Sequence, residues 1–148
     1  MIQIRNARIE DIKALAELFN AYRVFYEMES NLPEAEIFLQ QRITKSESQI
    51  FIAEDENKII QGFVQLYPIF SSTRMKRLWL LNDLFVEPTK RGTGISKKLI
   101  FEAQHFCKRT NACGLILETA KSNIIGNSLY KTTGFSLDNN HNYYSWYV

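Results

Sequence analysis

The sequence predicts an α/β fold with the element order βααβββαβαββ. Short apolar or alternating runs are typical of strands, and apolar residues three or four positions apart are typical of helices; both patterns occur along the chain. Between Leu80 and Leu99 a strand pattern passes through a glycine-containing turn into a helix pattern. A chain of 148 residues can bury one core, so we expect a single domain over residues 1–148.

Composition indicates an ordinary globular protein. Hydrophobic residues make up 45% and charged residues 23%, and a net charge of +2 gives no case for nucleic acid or an anionic membrane as partner. The spacing of Cys107 and Cys113 fits neither a zinc site nor a redox pair. No apolar run approaches the ~20 residues of a membrane span, and the N-terminal residues carry charges where a signal peptide needs an apolar core. We therefore expect a cytoplasmic location.

The first third of the chain predicts one strand and two helices. Ile2–Ala7 alternates as a strand does, and apolar residues then recur at helical spacing from Ile12 to Tyr22. Pro33 suits the first turn of a second helix over Glu34–Ile43.

A hairpin is predicted next. Ile50–Ala53 and Ile59–Tyr67 have the composition of strands around a polar turn. Gly62 in the second of them indicates a bulge or the close approach of another chain segment. We expect a loop over Pro68–Lys76.

The segment from Leu80 to Leu99 is predicted to form a strand, a tight turn and the start of a helix. Its strand is almost continuously apolar to Val86, as in a strand covered on both faces, and Pro88 ends it. The glycines that follow allow a tight turn, and a helix begins near Ile95. Backbone N–H groups at a helix N-terminus, with basic side chains beside them, predict a phosphate site. The basic residues are Lys90, Arg91, Lys97 and Lys98.

The last quarter predicts a fifth strand, a short helix and a closing hairpin. The fifth strand covers Gly114–Ala120, and the helix covers Ile125–Thr132 with Gly134 as its C-terminal cap. Phe135–Leu137 and Tyr143–Val148 are expected to pair as the hairpin.

Two motifs resemble those of the GNAT superfamily of N-acetyltransferases. Arg91–Ser96 (RGTGIS) is similar to the family's pyrophosphate loop, [Q/R]-x-x-G-x-[G/A], with Ser96 in place of the final small residue. The preceding Val86-Glu87-Pro88 fits the family's V-x-P. Asn123–Phe135 (NIIGNSLYKTTGF) is similar to N-x-x-A-x-x-L-Y-x-x-x-G-F, with Gly126 in the place of alanine.

The resemblance implies a fold, a cosubstrate and the residues that hold it. The fold is a mixed sheet, splayed between strands 4 and 5, with helices on both faces. The cosubstrate is acetyl-CoA, with no metal. The end of the fourth strand would pair with the pantetheine arm and polarise the thioester oxygen, and the loop would hold the pyrophosphate. The implied cofactor-binding residues are Leu84, Phe85, Val86, Arg91, Gly92, Thr93, Gly94, Ile95, Ser96, Asn123, Gly126 and Tyr130.

Tyr130 and Asp83 are the candidate catalytic residues. Tyr130 matches the family tyrosine that protonates the departing thiolate, with core packing as the alternative. Asp83 alternates with Trp79, Leu81 and Phe85, so we expect it on an apolar face, where a carboxylate needs a partner. It resembles the acid at this position in diamine acetyltransferases, as base or ammonium anchor. A salt bridge to Arg77 or to another basic side chain is the structural alternative.

The resemblance also implies where the acceptor binds. The segment after the first helix usually forms the acceptor wall in this family, and here it carries acids that suit a cationic substrate. The candidate substrate-binding residues are Tyr26, Glu27, Glu29, Asp83 and Glu118, and we assign His141 no role.

We therefore expect acetyl transfer to a primary amine of a small molecule, of the diamine or polyamine kind. Acetylation of a protein lysine or N-terminus stays open, as does a non-catalytic acyl-CoA-binding module. The aromatic C-terminus could cover a partner in a homodimer. We expect neither nucleic acid nor membrane as partner.

Overall fold

A five-stranded sheet, with its strands in sequence order, forms the centre of the first of two compact units. The computed structural model describes residues 1–148, and the units are Met1–Glu118 and Thr119–Val148. The first four strands are antiparallel neighbours, and β5 pairs with β4 in parallel. The strands are β1 (Gln3–Asn6), β2 (Gln49–Glu54), β3 (Ile60–Ser71), β4 (Lys76–Val86) and β5 (Leu115–Ile116).

Helices cover both faces of this sheet, as the resemblance to the GNAT superfamily predicted. The first unit contains α1 (Ile12–Phe25), α2 (Leu32–Thr44) and α3 (Ile95–Arg109). Buried residues of α1 and α2 form one core cluster with Ile52, Phe63 and Phe85. On the other face the Phe106 ring of α3 packs against Phe51 and Trp79, at centroid distances of 5.4 and 4.9 Å. No helix is long and apolar enough to cross a membrane.

The predicted loop over Pro68–Lys76 is wrong, because β3 and β4 continue through most of it. Only residues 72–75 form the turn. Pro68 lies within β3, opposite Trp79 of β4. Proline is tolerated there because β2 pairs with β3 only as far as Leu66, so that side of β3 is an edge.

Two bulges interrupt the ladders around β3. Ala53 pairs with Gly62 but Glu54 pairs with Ile60, so Gln61 is an extra residue beside Gly62. A Cβ at Gly62 would lie 2.9 Å from the Phe85 carbonyl oxygen, which confirms the predicted close approach.

The second bulge overturns an expectation for β4. Gln65 pairs with Asp83 but Leu66 pairs with Leu81, so Asn82 is an extra residue. Side chains of a regular strand alternate between the two faces of the sheet, and the extra residue shifts that alternation by one position. Two residues that flank the bulge therefore lie on opposite faces, where a regular strand would place them on the same face. Leu81 therefore lies on the α3 face, whereas Asp83 lies on the α1 and α2 face.

The second unit contains one helix, α4 (Ile124–Thr132). The predicted closing hairpin over Phe135–Leu137 and Tyr143–Val148 is not formed, and no strand lies after α4. The aromatic side chains from Tyr143 to Tyr147 are exposed, from 75% for Tyr143 to 91% for Tyr144. A two-stranded hairpin without a covered face is marginal at best, which explains why strand-like composition alone does not form it. β5 is also shorter than the predicted Gly114–Ala120.

Candidate active site

The loop between β4 and α3 presents unpaired backbone N–H groups. None of the N–H groups from Gly92 to Lys97 donates to an acceptor within the protein, and the first helical bond across this end runs from Lys98 to Gly94, at 3.2 Å. Gly92 and Gly94 have φ values of +78° and +85°, and a Cβ at either would meet nothing within 4 Å. The glycines are therefore required by backbone conformation, which turns these donors outward as an anion cradle.

Arg91 is directed away from this cradle. Its Nε donates to the Val86 carbonyl oxygen at 3.2 Å, and its guanidinium lies over the Phe25 and Phe85 rings at 5.3 and 5.2 Å. The side chain thus ties the loop to the end of β4 and to α1. The lysines at positions 90, 97 and 98 are exposed and form no ion pair within the protein.

The end of β4 is open on the side of β5. The two strands pair only through Trp79 with Leu115 and Leu80 with Ile116. Leu84, Phe85 and Val86 lie beyond the last of these pairs, so their backbone has no neighbouring strand on that side.

Asp83 is a buried carboxylate without a cationic partner. It is 3% exposed, and its oxygens accept from Gln65 Nε2 at 2.6 Å and Asn82 Nδ2 at 2.9 Å. Arg77, the alternative partner, instead lies over the Phe70 and Trp79 rings. Burial raises the pKa of the Asp83 carboxyl, although hydrogen bonds from Gln65, Tyr22 and Asn82 oppose the rise.

Two tyrosines border this carboxylate. The Tyr22 hydroxyl lies 3.5 Å from the Asn82 carbonyl oxygen, which is a long hydrogen bond, and it also interacts with Asp83. The pKa of both the Tyr22 and the Tyr67 hydroxyl is raised. Burial is the largest cause for each, and the Asp83 charge is the second.

The predicted acceptor wall is exposed and aromatic. The Tyr26 ring contacts Tyr22 and Phe25 at centroid distances of 5.0 and 5.2 Å. Glu27 adopts the left-handed conformation, with φ of 62°, where the chain leaves α1. Neither Glu27 nor Glu29 makes an ion pair within the protein, and Glu118 is exposed near the end of the first unit.

In the second unit, the motif residues build the two ends of α4. Asn123 is the N-cap, and its Oδ1 accepts from the Gly126 N–H at 3.0 Å. A Cβ at Gly126 would lie 2.4 Å from Asn123 Nδ2, so this side chain explains the glycine. Gly134 is the predicted C-terminal cap, with φ of +92°.

Phe135 completes that cap and holds Tyr130. Its N–H donates to the Tyr130 carbonyl oxygen at 3.0 Å, while the Gly134 N–H donates to Lys131, which is a Schellman motif. The Phe135 ring meets the Tyr130 ring edge-on at 5.8 Å. The Gly-Phe pair of the motif therefore fixes the direction of the tyrosine.

Sequence reasoning missed the polar residues that surround Asp83. Gln65 lies in an apolar strand opposite Asp83, and its Oε1 accepts from Ser48 Oγ at 2.8 Å. The available signal was a glutamine inside a run of strand-forming apolar residues, since such a side chain needs buried partners.

A family model described as the acetyltransferase (GNAT) family matches residues 12–135. The chain belongs to the GNAT family. It is 44% identical over 137 residues to the uncharacterized N-acetyltransferase YhfO of Bacillus subtilis, covering 93% of this chain and 91% of that protein. It is 37% identical over 128 residues to a probable acetyltransferase of Haemophilus influenzae, covering 86% of each.

A solved structure agrees with this assignment. The crystal structure of a probable acetyltransferase superposes with a TM-score of 0.95 at 34% identity, covering 99% of this chain and 97% of that one. This GNAT protein is therefore an N-acetyltransferase enzyme, and acetyl-CoA is the cosubstrate that the family uses.

Proposed function

We propose that this enzyme transfers the acetyl group of acetyl-CoA to the primary amine of a small cationic molecule. The observation that carries the proposal is Asp83, a buried carboxylate bordered by neutral donors and by no cation. Burying an unpaired charge is costly, and such residues are concentrated at functional sites. A substrate ammonium would supply the missing partner.

The cradle and the open end of β4 support the cosubstrate part of the proposal. The N–H groups from Gly92 to Lys97 suit a pyrophosphate, and the backbone of Leu84–Val86, which has no strand partner on the side of β5, suits the amide-rich pantetheine arm. The same backbone would polarise the thioester oxygen. The proposed cofactor-binding residues are those that the motifs imply, and we propose that Arg91 acts by fixing the loop. They are Leu84, Phe85, Val86, Arg91, Gly92, Thr93, Gly94, Ile95, Ser96, Asn123, Gly126 and Tyr130.

The proposed reaction moves three protons. The ammonium of the acceptor gives one to the Asp83 carboxylate, directly or through the Tyr22 hydroxyl. The neutral amine then attacks the thioester carbonyl carbon, and the carbon–sulfur bond breaks. Tyr130 gives a proton to the departing thiolate, in the role that its motif position implies. The positively charged nitrogen of the new carbon–nitrogen bond then loses its extra proton, which returns through solvent to the Tyr130 phenolate and leaves a neutral amide. The raised pKa of Asp83 makes it a stronger base than an exposed aspartate.

The acceptor wall favours a cation with a hydrocarbon stem. The aromatic faces of Tyr22 and Tyr26 attract an ammonium group and cover methylene groups. Glu27 and Glu29 add negative charge at the exposed rim and are proposed to attract the substrate rather than to react. Glu118 remains a weaker candidate for the same task.

The test is an amine panel assayed by thiol release with wild type and Asp83→Asn. We expect the variant to lose roughly 10²–10⁴-fold in kcat/KM at pH 7, the range of a general base. The loss should shrink for acceptors with a lower amine pKa, because these are partly neutral already. Asp138→Asn, the same chemical change at an exposed position, is the control. Equal losses for all amines, or acetylation of peptides alone, would overturn the proposal.

We also propose that the enzyme is a homodimer formed through its C-terminal segment. The residues from 136 to 148 expose their large side chains and have no strand partner in their own unit. The exposed members are Leu137, Tyr143, Tyr144, Trp146, Tyr147 and Val148. Aromatic side chains bury about 150–250 Å² each, so the tails of two chains could supply an interface of standard size.

A further inference from the structure

We infer that Gln65, oriented by Ser48, is a positioning residue that holds the Asp83 carboxylate and reverses its amide when that carboxylate takes up a proton. The inference rests on the proposed role of Asp83 as the base. It concerns residues that the family motifs do not contain, since Gln65 lies on β3 and Ser48 directly precedes β2.

Hydrogen bonds fix the present orientation of the Gln65 amide. Its side chain is fully buried, with 0% exposure. The Ser48 hydroxyl donates to Oε1 at 2.8 Å, and Nε2 donates to Asp83 Oδ2 at 2.6 Å. Because the amide oxygen is occupied by the serine, the amide nitrogen faces the carboxylate.

The two amides present only donors to Asp83. Gln65 Nε2 donates to Oδ2 and Asn82 Nδ2 donates to Oδ1, and an ionised carboxylate is an acceptor alone. A proton on Oδ2 directed at Gln65 would face an N–H group where it needs an acceptor. A buried polar group left without a partner costs about 1–3 kcal/mol, so protonation in a fixed network would be opposed.

Reversal of the amide removes that penalty. Gln65 Oε1 would then accept from the Asp83 O–H, and Nε2 would donate to Ser48 Oγ. A serine hydroxyl can donate or accept by rotating about its C–O bond, so Ser48 serves both orientations. Every buried group keeps a partner in both protonation states, as a residue that repeatedly gains and loses a proton requires.

The other titratable groups near Asp83 lie on three elements that pack around it, α1, β3 and α2. Tyr22 comes from α1 and Tyr67 from β3, and burial raises the pKa of both hydroxyls, so they stay neutral. Arg42 of α2 acts electrostatically on Tyr67, but it forms its ion pair with Glu47 at 2.9 Å and lies over the Phe38 ring. Gln65 and Ser48 thus form the neutral part of the network that can reorient.

The experiment follows kcat/KM for the best amine as a function of pH. In the wild type we expect kcat/KM to fall as pH is lowered through the pKa of Asp83, because the base must be ionised. Gln65→Met keeps the side-chain length and removes the donor to the ionised form. We expect its acid limb to move upward by about one pH unit, a tenfold loss below the limb, with an unchanged KM for acetyl-CoA.

Ser48→Ala and Ser48→Thr test the orienting hydroxyl at a half-buried position that should not endanger folding. The alanine variant should move the limb upward by a smaller amount, and threonine, which keeps the hydroxyl, should restore the wild-type profile. The matched control is Gln61→Met. Gln61 is also buried on β3 and its Nε2 donates to Asp55 at 2.8 Å, so its loss should leave the limb in place.

The outcomes separate this inference from the proposed function. If Asp83→Asn leaves the acid limb unchanged, the proposed base is wrong and the inference falls with it. If Asp83→Asn removes the limb while Gln65→Met and Ser48→Ala leave it in place, the base stands and only the positioning role is overturned. A shift in Gln61→Met equal to that in Gln65→Met would also overturn it.

Discussion

Tyr130 lies in the last turn of α4, where its backbone and its ring both make contacts. The Schellman bonds involve its backbone, and the ring meets Phe135 edge-on. Replacement by phenylalanine therefore preserves the ring contact and removes the one group that the proposed chemistry uses.

For Tyr130→Phe we expect kcat to fall by roughly 10²–10⁴-fold, the usual contribution of a general acid. The KM for acetyl-CoA should change much less, because the cradle and the end of β4 offer backbone contacts. Steady-state kinetics with varied acetyl-CoA measures both values. Tyr143→Phe, at an exposed tyrosine of the same unit, should match the wild type. A loss confined to acetyl-CoA affinity would make Tyr130 a binding residue.

At this scale the sequence identified Asp83 but not its surroundings. A carboxylate in an apolar strand is visible as a pattern. The residue opposite it depends on register, and a bulge at Asn82 moves the register by one position. Gln65 and Ser48 could not be connected to Asp83 without that pairing, because they are separated from it along the chain.

The turn between β4 and α3 is an element whose function follows from its backbone. A Cβ at Gly94 would meet nothing within 4 Å, but the φ of +85° strains any residue that has a Cβ. Aspartate adopts this left-handed region more readily than most residues, so we expect Gly94→Asp to be less stable but folded, with its binding measured on the folded protein.

For Gly94→Asp we expect acetyl-CoA affinity to fall by roughly 10²–10³-fold, from like-charge repulsion of a pyrophosphate at short range. Isothermal titration calorimetry measures it, with thermal unfolding as the check on the fold. Asn111→Asp is a matched control, since it adds the same charge at a positive-φ position at the other end of α3. An equal loss in both variants would contradict the cradle assignment.

Elements were predictable where local sequence decides them. The helices, the hairpin strands and the glycine turn were expected within a few residues of their observed bounds, because periodicity and caps are local signals. The continuation of β3 through Pro68 depends on where β2 stops. The predicted C-terminal strands would need a partner surface. Neither of these two dependences can be recognised from the sequence of the segment alone.

On the scale of the whole molecule, the exposed C-terminal segment predicts the oligomeric state. We expect a dimer at micromolar concentration in analytical ultracentrifugation, and Trp146→Glu should shift the population to monomer because a charge would be buried in an apolar contact. Met75→Glu, at an equally exposed apolar residue in the β3–β4 turn, should leave the dimer intact. A monomeric wild type would contradict the proposal.

The bulge at Asn82 also determines how β4 can tolerate a change in length. An inserted or deleted residue ordinarily turns every later side chain to the opposite face. Deleting Asn82 would only straighten the ladder, with Leu81 and Asp83 still opposite their present partners. Deleting Leu84 would straighten it differently, bringing Asn82 opposite Gln65 and Asp83 opposite Val64 on the α3 face. Of these two deletions, only the first keeps a carboxylate out of the apolar layer beneath α3.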